Sequence, residues 1–133
     1  MTADANIEFV KELFAAFRRG NFSDVVNAHA EDVVMEAPVS RTSTLPWAGL
    51  RRGRRGLVDY FETLAANVNP DAFRDVVFTA SGDRVVVEGS NSGTAVATGT
   101  RYDHDWVMVF TIQNGEVQRV RHFYDPGDIP PLA

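Results

Sequence analysis

The sequence predicts an α+β fold: three helices packed on a curved, mixed, mostly antiparallel sheet, closed as a cone-shaped barrel around one core. Three observations lead there. Apolar residues recur at a helical period in the first half of the chain and at a period of two in the second. The helical segments precede the long strands, which is the order of an α+β chain rather than an alternating α/β one. And 133 residues, 44% of them hydrophobic, suffice for one well-buried domain spanning residues 1–133 but not for two.

The elements follow in order. From Asn6 to Arg19, Ile7, Phe9, Val10, Leu13, Phe14 and Phe17 share one helical face, and Gly20 is placed to stop the helix. Ser23 reads as the N-cap of a second, shorter helix running through Val25, Val26 and His29. Asp32 to Ala37 reads as a short strand, ended by Pro38 and a long polar loop reaching Gly49. A third helix from about Arg54 to Val68 turns Leu57, Val58, Phe61, Leu64 and Ala65 inward and stops before Asn69-Pro70. Strands follow: Phe73 to Ala80, a turn at Ser81-Gly82-Asp83, then Val85 to Asn91. A Gly- and Thr-rich passage leads into a long hairpin, and the tail Pro126 to Ala133 drapes over an edge.

The hairpin carries the functional reading. His104, Trp106, Met108, Phe110 and Ile112 alternate with Asp105, Val107, Val109 and Thr111 before Asn114-Gly115, and Val120, His122 and Tyr124 alternate with Arg119, Arg121 and Phe123 after it. A two-residue Asn-Gly turn would set Arg119 and Arg121 among Trp106, Met108 and Phe110, two guanidinium groups in a core without partners. A three-residue loop Gln113-Asn114-Gly115 avoids this and pairs Met108 with Val120, Trp106 with His122 and His104 with Tyr124. The second register is expected, because a one-residue slip moves every side chain to the other face.

Composition narrows the function. A formal charge of −5 argues against a nucleic-acid surface, which needs Lys and Arg to neutralise phosphates. Arg51, Arg52, Arg54 and Arg55 read as a solvated loop and helix start. With no cysteine there is no disulfide, thiol nucleophile or thiolate metal site. No secretory leader is read and no apolar run is long enough for a bilayer, so a soluble, cytoplasmic protein is expected, without membrane partners. Lys11 is the only lysine among thirteen basic residues, which points to a GC-rich bacterial genome.

The segments EDVVMEAP, LPWAGLRRGRRGLVDYF, VVVEG, TGTRYDHDWVMVF and GEVQRVRHFYD together resemble the SnoaL-like proteins, relatives of ketosteroid isomerase in the nuclear transport factor 2-like superfamily. The resemblance covers nearly the whole chain. It implies a cone whose inner wall, on the last two strands, lines a small-molecule pocket, and a homodimer formed through the outer sheet face. It leaves function open among isomerases, polyketide cyclases, dehydratases, epoxide hydrolases and members without catalysis. Ketosteroid isomerase uses an Asp base with a Tyr and a protonated Asp as oxyanion hole. Aligned on Gly20, that tyrosine falls at Leu13, the base at Ala37 and the oxyanion aspartate near Trp106. The final-strand aspartate of limonene-type epoxide hydrolases falls at His122. The steroid isomerase triad is therefore not retained.

The candidate residues are those facing the expected cavity. His122 is the first choice for proton transfer, since an imidazole titrates near neutrality and apolar surroundings favour its neutral form. His104 and Tyr124 join it as candidate catalytic groups, Tyr124 as a donor to a developing enolate oxygen. Trp106, Met108, Val120, Phe14, Phe17 and Phe61 are expected to form the wall, and Trp47 resembles a lid aromatic. Glu88 is a candidate partner for His122, although three consecutive valines leave its face open. Nothing apolar or charged is paired with His29, which reads as an ordinary helix residue. No cofactor is expected. His and Glu lack a local metal-binding spacing, so no metal is expected either. The leading expectation is a cofactor-independent enzyme that moves a proton next to a carbonyl in a hydrophobic small molecule, leading to isomerisation, cyclisation or dehydration. The alternatives are a non-catalytic hydrophobic-ligand or protein-binding module and an epoxide hydrolase-like hydrolase.

Overall fold

Three helices pack into the hollow of one strongly curled mixed sheet in the computed structural model, which describes residues 2–41 and 44–133. Helix α1 (Ala3–Arg18) is capped by Thr2, whose hydroxyl accepts from the Ala5 N–H at 3.1 Å, and it buries Val10, Leu13 and Ala16. Helix α2 (Phe22–Asn27) is capped by Asn21 rather than Ser23: Asn21 Oδ1 accepts from the Asp24 N–H. The helix also ends at Asn27, with Ala28 as its C-cap. His29 therefore opens strand β1 (His29–Ala37) and is buried, where an ordinary helix residue was expected.

The polar loop after Pro38, which includes positions 42 and 43 outside the described residues, leads to β2 (Gly49–Arg52), antiparallel to β1. Helix α3 (Gly53–Asn67) turns Leu57 and Tyr60 fully inward, one helical turn apart, with Phe61 and Leu64 half-buried. Val58 and Ala65 are exposed, contrary to expectation, because the stripe facing the sheet is centred on Tyr60.

Strands β3 (Val68–Pro70), β4 (Arg74–Ser81), β5 (Arg84–Ala95), β6 (Arg101–Gln113) and β7 (Glu116–Phe123) complete the sheet, in the order β2-β1-β7-β6-β5-β3. All pairings are antiparallel except β1 with β7, which are parallel. β4 and β3 pair with successive stretches of the same edge of β5, so β5 bends and wraps the sheet around the helices. Val85 and Val87, both with no exposed surface, fix the phase of β5.

The β6–β7 register corrects the sequence expectation. The turn is the two-residue one: Asn114 (φ +56°) and Gly115 (φ +73°) both take left-handed conformations, flanked by the pair Gln113 and Glu116. A bulge at Gln118, between the pairs Ile112–Val117 and Thr111–Arg119, then restores the phase. Met108 thus lies opposite His122 and Phe110 opposite Val120, two positions away from the expected partners. The inward face keeps the same side chains. Arg119 and Arg121 are exposed on the outer face, where Arg119 pairs with Glu36.

A cavity ringed by histidines and tyrosines

Between the concave sheet and the helices lies a cavity of about 120 Å³. All three histidines of the chain line it, and so do Tyr60, Tyr102, Tyr124, both tryptophans and Asn91. The remaining wall is apolar and includes Phe14, Phe17, Phe61, Met108 and Val120, as expected from the strand and helix patterns. Glu88 is not part of it. The buried phase of Val85 and Val87 sends Glu88 to the outer face, where it is exposed, so the expected pairing with His122 does not form.

The polar groups form a chain across the cavity. Trp47 lies buried, its Nε1–H donating to Tyr124 Oη at 2.6 Å. The Tyr124 ring stands 4.8 Å from that of His122 and 5.6 Å from that of His104. His122 Nδ1 in turn lies 3.5 Å from Tyr60 Oη, a long contact that a small movement would tighten. Arg51 holds Trp47 in place: its guanidinium donates to the carbonyls of Trp47 at 2.6 Å and Pro46 at 3.2 Å, pairs with Asp59 at 3.1 Å, and rests 5.8 Å from the centre of the Tyr60 ring. The arginine group read as a solvated loop thus contains the clamp that seats Trp47.

Burial sets the protonation of this chain. Enclosure, aided by the nearby His104, lowers the His122 pKa to about 3, so its imidazole is neutral at pH 7. His104 and His29 shift down for the same leading reason, each opposed by a bond to a backbone carbonyl: His104 Nδ1 to Asn91 at 3.4 Å and His29 Nδ1 to Val25 at 2.6 Å. Tyr60 and Tyr124 shift up through burial, and the Trp47 hydrogen bond partly offsets the shift at Tyr124. Both phenols keep their protons.

Among the described residues three buried side-chain polar atoms have no partner, and two of them, His122 Nε2 and Trp106 Nε1, belong to residues that line the cavity; the third is Asn6 Oδ1. An unmet buried donor or acceptor costs about 1–3 kcal/mol, a cost that a ligand oxygen would remove. Among the described residues no group of three His, Asp or Glu side chains is placed to hold a metal.

Sequence reasoning missed Tyr60, His29, Asn91 and Tyr102. Tyr60 was legible, since it stands three residues after Leu57 and four before Leu64 on one helical stripe. Asn91 was hidden because the three consecutive valines 85–87 leave the inward phase of β5 open; Tyr102 was legible, two residues before His104 in the alternation of β6.

The chain belongs to the SnoaL-like domain family, whose model matches residues 10–120. It is 28% identical to the uncharacterised protein Rv0034 of Mycobacterium tuberculosis over 130 residues, 95% of this chain and 94% of that one. An NTF2-like protein of Burkholderia xenovorans superposes with a TM-score of 0.85 at 28% identity, over 96% of this chain and 95% of that one. TerC, co-crystallised with polyporic acid, superposes with a TM-score of 0.76 at 25% identity, over 90% and 91% of the two chains. The protein is thus a SnoaL-like member of the NTF2-like superfamily, a small enzyme or ligand-binding protein built around one cone. No helix among the described residues is long and apolar enough to cross a membrane.

Proposed function

We propose that the protein is a cofactor-independent enzyme that moves a proton on the carbon next to a carbonyl in a hydrophobic small molecule. The observation that carries this reading is the chain Trp47–Tyr124–His122–Tyr60 in a largely apolar enclosure. With its proton on Nδ1, His122 is steadied by Tyr60 Oη and offers a free lone pair at Nε2, the atom without a partner. That lone pair takes the proton. Tyr124 donates its hydroxyl to the carbonyl oxygen, and the Trp47 N–H supports the charge that gathers on the phenol oxygen. The imidazolium then returns the proton to a different atom, giving isomerisation, or assists loss of hydroxide in a dehydration. His104, whose ring faces Tyr124, borders the same oxygen.

A second reading has an observation in its favour. A pKa near 3 makes His122 a weak base for carbon acids, which suits a binding module that uses the imidazole only as a hydrogen-bonding wall group. The hydrolase reading has little support, since no carboxylate lines the cavity among the described residues. The two remaining readings separate in an NMR titration of the histidine ring nitrogens with cyclohexanone. Proton transfer requires the His122 signal to move and its titration to shift upward; a module shows ligand loss on His122→Phe no greater than on Met108→Ala.

A homodimer through the outer sheet face belongs to the same proposal. Phe123 and Val77 are 42% and 53% exposed there, beside half-buried Val107 and Val109, an apolar surface of the kind interfaces cover.

A further inference from the structure

The inner cavity is too small for a typical ligand. At about 120 Å³ it falls below the common 300–1,000 Å³ range and near the size that admits a single six-membered ring. A second space lies against the far side of its wall. A much larger open groove of about 1,070 Å³ adjoins it between α1, α3 and the β3–β4 segment, and the two share Phe14, Phe17, Phe61, Leu64 and Phe73 as lining. Phe17 packs on Phe61 at 5.6 Å and on Phe73 at 6.3 Å between ring centres, so these rings form the partition. Beyond it the groove is mainly apolar, with Lys11, Arg18, Glu62 and Asp71 also in its lining, and open to solvent: Phe22 is 47%, Val58 37% and Val96 56% exposed, and all three line it.

We propose that the ligand has two parts: a ring-sized, carbonyl-bearing head in the inner cavity, and an apolar tail that passes Phe17, Phe61 and Phe73 and lies in the outer groove. The head half of this inference rests on the reading given under Proposed function; the tail half does not. The two spaces lie on either side of one partition of side-chain rings, and this shared wall selects the occupant, a tail for which the rings part. A tail entering from the cavity covers Val58 and Val96 and leaves no empty apolar volume behind the head. The exposed valines on the rim, otherwise costly to leave in water, are then specificity residues for tail length.

The test uses two ligand pairs, cyclohexanone with 4-pentylcyclohexanone and benzene with pentylbenzene. Binding is read from the fluorescence of the two tryptophans, which both line the inner cavity. The pentyl group is expected to tighten binding at least tenfold in both pairs. Val58→Glu and Val96→Glu, on the exposed rim, are expected to remove that gain and leave cyclohexanone affinity within twofold. No gain from the pentyl group in either pair overturns the proposal, as does a gain that survives both variants. If Val58→Glu changes the oligomeric state while the gain persists, the groove is a contact between copies and the proposal is again overturned. Ketones that bind no tighter than the hydrocarbons, with the tail gain intact, contradict the carbonyl reading and support the two-part site.

Discussion

The indole of Trp106 lies directly across Gly89. The two residues are opposite each other on β6 and β5, and a Cβ at position 89 would sit 2.6 Å from Trp106 Cζ2. Four residue pairs on, Tyr102 covers Gly93 in the same way, with its hydroxyl where a Cβ would need to be. Each glycine makes a hollow in which a large ring lies along the sheet, and this is how the concave face holds two aromatics and still leaves a cavity.

Gly89→Ala should therefore push the indole into the cavity. An overpacked core site of this kind costs about 1–3 kcal/mol. The expected outcome is a lower melting temperature together with a shifted tryptophan emission. An unchanged emission spectrum would mean that the ring is not seated as described.

The Trp47–Tyr124 hydrogen bond should matter for chemistry more than for binding. Tyr124→Phe removes the donor aimed at the substrate oxygen, and a positioned donor in a dry site is worth roughly 3 kcal/mol, about 10² in rate. Proton-transfer activity should fall by about that factor while ketone affinity changes less than threefold. Trp47→Phe, which keeps an aromatic ring but loses its N–H, should fall between wild type and Tyr124→Phe.

Stability should rise with pH across the mildly acidic range. The His122 pKa is near 3 in the folded chain and about 6.5 in the unfolded one, so between these values the unfolded chain binds the extra proton. The contribution is fully present above about pH 6.5 and is lost as pH falls toward 3, by up to about 1.4 kcal/mol per pH unit. His29 and His104, shifted in the same direction, steepen the slope. Denaturant unfolding at pH 7, 5.5 and 4 checks the sign, and His122→Phe should flatten the curve.

Deleting Gln118 tests why the hairpin was only partly legible. Alternation along β6 and β7 identified the inward residues, because burying Arg119 and Arg121 is too costly in either register. It did not identify their partners. The Asn-Gly turn and the alternation conflict by one residue, and sequence alone offers two repairs, a longer loop or a bulge; the fold uses the bulge at Gln118. Removing it joins Val117 directly to Arg119, so the pairs Thr111–Arg119, Phe110–Val120 and Met108–His122 continue the ladder of the two-residue turn unbroken, and the variant should keep its near-ultraviolet circular dichroism with His122 still inward. A three-residue loop would instead turn His122 outward on deletion, so loss of cooperative folding and of ketone binding would contradict the register.

The same distinction runs through the rest of the chain. Long periodic elements such as α1 and β6 were readable because one face must be buried. His29 and Tyr60 depended on where a cap falls and how a helix is rotated, differences of a residue or two that tertiary packing decides.

The most direct measurement is deuterium exchange at the α-carbons of 4-pentylcyclohexanone in D2O, followed by NMR with wild-type protein and His122→Phe. The expected result is protein-dependent exchange that falls at least a hundredfold in the variant while the ketone still binds. Binding by the wild type without any exchange above the protein-free rate would contradict proton transfer at His122 and leave a binding module.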